Sequence, residues 1–286
     1  MRNRAGVREA AMKTRRRNLP GGWYPESSIE VVRLLEQWGV RPSRSGKPGM
    51  ARAAIAPHAG WTFSGRLAAK AIFSLVAAET VVVIGGHMPA SFPVVAAEED
   101  AFETPMGNLV RDAELAKALG ARVRLESDTV ADNTVEVQLP LVKAHLPDAL
   151  FLWLRAPAGP AAIELGTKLA EAARSIDRRV VCLASTDLTH YGPDYDFEPA
   201  GRGSEAEDWV RNVSDRGFIE AALSMDSKAV LERGNEGSAC SSGAAAAAIA
   251  FAKAMKAEKS ELLGYGTSLE IRRASSFVGY CAISYS

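Results

Sequence analysis

Cysteine and histidine are scarce in this 286-residue chain, with three of the former and four of the latter. Cys182, Cys240 and Cys281 stand far apart, which argues against a disulfide scaffold and suits a reducing compartment. An excess of one charge is also lacking. Lys plus Arg and Asp plus Glu number 34 each, so no global field draws the chain to nucleic acid or to a membrane surface. No run approaches the ~18 consecutive apolar residues of a membrane-spanning helix. Neither a GxGxxG nor a Walker-type GxxxxGK pattern occurs, and Gly85-Gly86 alone is too little for a phosphate loop, so no nucleotide cofactor is expected. Export is not expected either. Arg2, Arg4, Arg8, Lys13, Arg15, Arg16 and Arg17 are followed by Asn18-Leu19-Pro20-Gly21-Gly22 rather than by an apolar run. Residues 1–19 read as a disordered basic tail, and the expected location is cytoplasmic.

What is present is an ordinary globular balance, 47% hydrophobic and 24% charged, arranged as alternating strand and helix patterns. Ser27 and Ser28 suit the cap of a helix with Ile29, Val32, Leu35 and Trp38 on its apolar face. After a Ser/Gly/Pro loop at 41–50 come a strand at 53–57, a small-residue helix at 63–77 and a strand at 80–85. Short strands follow at 92–97 and 108–110, then a helix at 112–119 and a strand at 122–125. A helix at 135–146 is interrupted at Pro140. The remaining elements are a strand at 150–154, a helix at 160–175, a strand at 180–185 and a long loop at 191–207. Helices at 209–223, 227–233 and 240–255 and closing strands at 262–269 and 277–285 complete the chain. No linker interrupts this series. Residues 20–286 therefore read as one α/β domain, a central mixed sheet flanked by helices.

Three of the four histidines fall where such a fold binds ligands, just beyond the carboxyl ends of strands. His58 follows Ala53-Ala54-Ile55-Ala56-Pro57, His87 follows Val81-Val82-Val83-Ile84-Gly85-Gly86, and His190 follows Val180 to Ser185 by way of Thr186-Asp187-Leu188-Thr189. A lone histidine at a strand end is more often structural, but three from similar strands point to a shared metal or acid–base centre. His145, late in a helix, reads as a structural partner of backbone carbonyls.

Cys240 stands apart from its companions. Cys182 and Cys281 lie in apolar strands, whereas Cys240 opens an alanine-rich helix, a position that favours thiolate. Asp187 suits a metal ligand, an imidazole partner or an acid–base group, against the plainer reading of an Asx-turn. Glu136 is a second acidic candidate, against a simple complement to a helix dipole. Glu98-Glu99-Asp100 reads as a solvated face. Trp61, Phe63 and Tyr191 are candidate pocket walls.

Taken in order, several segments resemble the Memo family (the Memo-like protein B of the AmmeMemoRadiSam system). They are Gly22-Trp23-Tyr24-Pro25, Ala56-Pro57-His58-Ala59-Gly60-Trp61-Thr62-Phe63-Ser64-Gly65, Ile84-Gly85-Gly86-His87, Thr104-Pro105-Met106-Gly107, Val135-Glu136-Val137-Gln138-Leu139-Pro140 and Ser185-Thr186-Asp187-Leu188-Thr189-His190-Tyr191-Gly192, followed by the Cys240 helix. The resemblance implies the fold of the class III, LigB-type extradiol dioxygenases. It implies that His58, His87 and Cys240 bind a metal, and that Asp187 and His190 line the same pocket, with His190 the acid–base residue. Ring-cleaving relatives carry a carboxylate where Cys240 stands. Two histidines and a carboxylate suit non-haem Fe(II), whereas a thiolate also suits copper. The expected cofactor is thus Fe(II) or Cu, and the expected function a redox or dioxygenase-like enzyme acting on a small organic substrate. The rival expectation is a binding module that takes a peptide or protein partner. Metal-assisted hydrolysis, with Glu136 or Asp187 as base, has no hydrolase motif behind it. Two departures stand out. Asp132-Asn133-Thr134-Val135-Glu136 carries Asn133 where the family often has histidine, and the His87 segment is a residue shorter than in some relatives.

Overall fold

The structure, a computed structural model, describes residues 12–40 and 49–286. The first half runs β1 (Thr14–Arg15), α1 (Ser28–Gln37), β2 (Ala53–Ala56), α2 (Trp61–Phe73), β3 (Thr80–Gly85), β4 (Val94–Ala96), β5 (Ala101–Phe102), β6 (Leu109–Val110), α3 (Ala113–Gly120), β7 (Leu125–Ser127), α4 (Asn133–Glu136) and α5 (Leu139–His145). The second runs β8 (Leu150–Arg155), α6 (Pro160–Ser175), β9 (Val180–Ser185), β10 (His190–Tyr191), α7 (Ser204–Trp209), α8 (Asp215–Leu223), α9 (Ser227–Asn235), α10 (Ser242–Ala254), β11 (Ser260–Thr267) and β12 (Phe277–Tyr285).

The main sheet has the order β10-β12-β2-β9-β3-β8-β4-β7, with β11 also paired to β12. Strands β2, β9, β3 and β8 are parallel neighbours, while β12 and β4 join them antiparallel, so the sheet is mixed as expected. The parallel strands are buried on both faces, which is why β3 and β9 are continuous apolar runs. Val82 and Ile84 face a core shared with α3, α6, α8, α9 and α10, and Val81 and Val83 face one shared with α1, α2 and α5. Alanines make the first layer thin. Ala244 to Ala248 are fully buried between α6 and β9, a fit that larger side chains would prevent.

Several local expectations change. On α1 the buried residues are Val31 and Leu35, while Ile29 and Val32 are 78% and 42% exposed. The basic segment belongs to the fold from Thr14 on, and the part of the expected tail at residues 1–11 lies outside the described residues. Thr14–Arg15 pairs in parallel with β5, and β5 pairs with β6, forming a second, three-stranded sheet. The acidic run is solvated at Glu98 and Asp100, as expected, and it also clasps the segment: Asp100 accepts from the Lys13 amide at 2.8 Å, and Glu99 lies 3.1 Å from Arg15. The break expected at Pro140 falls at 137–138. Pro140 instead occupies the first turn of α5, where the missing N–H is harmless. A π turn at 210–214 joins α7 to α8. The expected loop at 41–50 lies mostly outside the described residues. Among the described residues, no helix is long and apolar enough to cross a membrane.

Candidate metal centre

Strand order decides what meets at the top of the sheet. Because β9 lies between β2 and β3, the chain leaving these three neighbours delivers His58, Asp187 and His87 side by side. Cys240 arrives from the opposite layer, in the turn before α10. Its amide donates to the Asp187 carbonyl at 3.3 Å, and the Ser241 amide donates to Thr186 Oγ1 at 3.0 Å. The amide of His87 closes the ring by donating to Ser241 Oγ at 3.2 Å. This approach explains Gly86, since a Cβ there would lie 2.4 Å from that of Ser241. It also holds His87 in a left-handed conformation, φ 58°, which non-glycine residues seldom adopt.

One ligand atom from each of His58, His87 and Cys240 lies within 4.8 Å of the others. Cys240 Sγ stands 3.2 Å from His58 Nε2, and the two imidazole rings meet edge to face at 4.9 Å. Asp187 Oδ1 accepts from the His58 amide at 2.6 Å, which leaves Oδ2 between His58 Nε2 at 3.8 Å and His190 Nε2 at 3.9 Å. That His190 nitrogen is buried without a hydrogen-bond partner among the described residues. Its ring lies against Tyr195 at 4.8 Å.

These neighbours reset the titrations. For Cys240, burial alone would raise the thiol, but the His58 charge and contacts from His190 and His87 outweigh it and pull it well below the ordinary range. The imidazoles respond in the opposite sense. Burial works against their protonation, yet Cys240 together with Asp132 takes His87 up to about 10, and Cys240 with Asp187 takes His190 to about 9. His58, fully enclosed, is also raised, by Cys240 and Asp187 against burial.

A cavity of about 510 Å³ opens onto His58, His87, Asp187 and His190, with Trp23, Phe63, Tyr195, Tyr280 and Arg272 among its walls. Of the three expected wall residues only Phe63 is there. Trp61 packs against Trp38 and Tyr24 beside a neighbouring cavity, and Tyr191 is buried among Phe197, Trp209 and Phe277.

A profile of the Memo-like protein family matches residues 15–284. The chain belongs to the Memo family. Relatives include a MEMO1 family protein of Pyrococcus abyssi, 32% identical over 92% of this chain and 96% of its own. A second, from Methanococcoides burtonii, is 34% identical over 80% of this chain and 84% of its own. Among solved structures, an uncharacterized protein of Escherichia coli K12 superposes with a TM-score of 0.54 over 83% of this chain and all of its own, at 14% identity, a likeness of fold alone.

In this Memo-family chain the five expected site residues come together, while Glu136 does not join them. Its carboxylate accepts from the amides of Asn18 and Leu19 and from the Tyr24 hydroxyl, fastening the N-terminal segment. His145 is structural as expected, though it bonds the Leu75 carbonyl at 2.9 Å rather than its own helix. Sequence reading missed Asp132, whose Oδ2 lies 3.4 Å from His87 Nδ1 and 3.4 Å from Arg155. Burial works against its charge, but His87, Thr134 and Arg155 hold the carboxyl at about 2. Ser185 and Gln138 were missed too, while Asn133 was singled out without a role. Asn133, in the family's frequent histidine position, donates to the His58 carbonyl at 3.3 Å. The available signal was indirect: Asp132 precedes Thr134 as a helix cap, and nothing in the spacing ties it to His87.

Proposed function

We propose that this chain is a mononuclear metal protein that holds iron or copper on His58, His87 and Cys240 and carries out a redox or dioxygenase-like reaction on a small organic substrate. The convergence of two imidazoles and a thiolate within 4.8 Å carries the reading. The donors suit such an ion, because ligands held at about 2.0–2.3 Å from one centre stand roughly 3–4.5 Å apart, and this group needs to close by at most about 0.3 Å to reach that range. Imidazole with thiolate is a donor set that copper accepts readily and iron tolerates. When bound, the ion would supply one-electron and oxygen chemistry at the cavity floor.

The chain's own residues supply orientation and protons. Asp187 fixes the His58 backbone through Oδ1. His190, whose Nε2 faces the centre without a hydrogen-bond partner among the described residues, is pushed against burial toward its protonated form by Asp187 and Cys240 and can exchange a proton with a substrate oxygen in the cavity. Trp23, Phe63 and Tyr280 offer aromatic walls for an organic ring. Three free cysteines fit a reducing, cytoplasmic setting.

The test is elemental analysis of protein purified without oxygen, with oxygen uptake over a panel of catechols and reductants. His58→Ala is expected to lose the metal. His190→Ala is expected to keep metal and fold but lose ~10²–10⁴-fold in turnover. Equal metal loss in both variants would end this division of roles. A fully metallated wild type that turns over nothing would favour a module that binds a peptide in the same cavity.

A further inference from the structure

Each histidine of the centre has two ring nitrogens, and the one turned away from the ion decides how good a ligand the other is. In this chain the two outer nitrogens meet different chemistry. His58 Nδ1 faces the neutral Ser185 hydroxyl at 3.4 Å, and that hydroxyl accepts from Gln138 Nε2 at 2.9 Å. His87 Nδ1 faces the carboxylate of Asp132 at 3.4 Å.

We infer that Asp132 is the positioning residue of the centre, making His87 the stronger and more rigidly aimed of two unequal imidazole ligands. This rests on the metal-centre reading above and adds to it an asymmetry that the donor set alone does not contain. A carboxylate acceptor keeps the proton on Nδ1, leaves Nε2 as the free donor and raises its basicity. A hydroxyl already engaged by an amide does much less.

The carboxylate is built into place. Its Oδ1 caps α4 through the Thr134 amide at 2.9 Å and also meets the Thr134 hydroxyl. Its Oδ2 is shared with Arg155 Nη2 at 3.4 Å. Arg155 is itself buried, with Nε and Nη2 donating to the Gly86 carbonyl at 3.2 and 3.1 Å and Nη1 directed to Asp128 at 3.4 Å. One guanidinium therefore grips both the peptide just before His87 and the acid facing its ring. That double hold matters at a residue whose backbone is in the left-handed region, where the imidazole needs outside support to keep its aim.

The experiment compares Asp132→Asn with Ser185→Ala and reads copper(I) and iron(II) affinity by competition against a chelator at fixed pH. It adds the thiolate charge-transfer absorption of the copper(II)-loaded protein. Asparagine caps a helix as well as aspartate, so α4 is retained. Asp132→Asn should bind metal roughly 10–100-fold more weakly and shift the absorption band, while Ser185→Ala stays within about threefold of wild type. The apoprotein melting temperature monitors the fold. Should Asp132→Asn melt well below wild type, Asp132→Ser replaces it, because serine still caps α4 and is too short to reach His87. Wild-type affinity in the Asp132 variant, or an equal loss in both variants, overturns the asymmetry. Failure of wild-type protein to bind metal overturns the metal-centre reading instead, so the two outcomes are distinct.

Discussion

Cys240 differs from Cys182 and Cys281 in its neighbours more than in its place along the chain. Cys182 in β9 and Cys281 in β12 are fully buried in apolar packing, which pushes both thiols upward. Cys240 is half-buried and faces imidazoles. The sequence suggested a helix N-terminus as the cause of its thiolate character. In the fold α10 begins at Ser242, so Cys240 lies in the turn before it, and His58 supplies the leading favourable charge. In apoprotein, iodoacetamide should therefore label Cys240 at least ~10-fold faster than either companion, and added metal should protect it. Equal labelling of all three in the folded protein would contradict this. The same contrast explains what could be read beforehand. His58, His87 and His190 announce themselves by strand-end position, a local property. Asp132 and Ser185 act through contacts that exist only after distant segments meet.

At the scale of elements, α4 shows how a short helix can matter beyond its length. It is four residues long, yet it carries Asn133 against the His58 carbonyl and Glu136 against the N-terminal segment. Glu136→Ala would strand three donors, the amides of Asn18 and Leu19 and the Tyr24 hydroxyl, in a partly buried seam. Unmet buried donors cost ~1–3 kcal/mol each, and partial rescue by water brings the expected loss to about 2–4 kcal/mol. Amide exchange should then quicken over residues 13–24 before it does in β3 or β9. Unchanged exchange in that segment would show that β1 pairing, not Glu136, holds it. Helix α1 illustrates why such placement escapes the sequence. Ile29, Val32, Leu35 and Trp38 make one acceptable apolar stripe, and Val31 with Leu35 makes another. In the fold Leu35 is buried as expected, but Val31 joins it in the core while Ile29 and Val32 stay exposed. The alternating strands and helices, by contrast, were legible because parallel strands buried on both faces must be apolar throughout.

For the molecule as a whole, the seat of Asp215 ties the sheet edge to the helical layer and sets a pH dependence of stability. Asp215 opens α8 and is fully buried, accepting from the Thr189 amide at 3.1 Å and from the Tyr265 hydroxyl of β11 at 2.8 Å, with Gly279 of β12 pressed against it. Thr189 immediately precedes His190, so this carboxyl also supports the strand that presents the proposed acid–base residue. Burial raises its pKa from 3.8 to about 6, although the Thr189 and Tyr265 hydrogen bonds resist. A carboxyl raised on folding binds its proton more tightly in the native state. Its stabilising contribution is therefore complete below the unfolded value near 3.8 and is lost as pH rises through about 6. The span corresponds to on the order of 3 kcal/mol. Asp215→Asn imitates the neutral acid, keeping an oxygen for the Thr189 amide. The difference in unfolding free energy between wild type and this variant, measured in urea from pH 4 to pH 7, should accordingly move in the variant's favour as pH rises. The slope should be steepest between pH 4 and 6 and flatten above. A difference that stays constant across that range would mean that Asp215 titrates normally and that its burial is relieved by water.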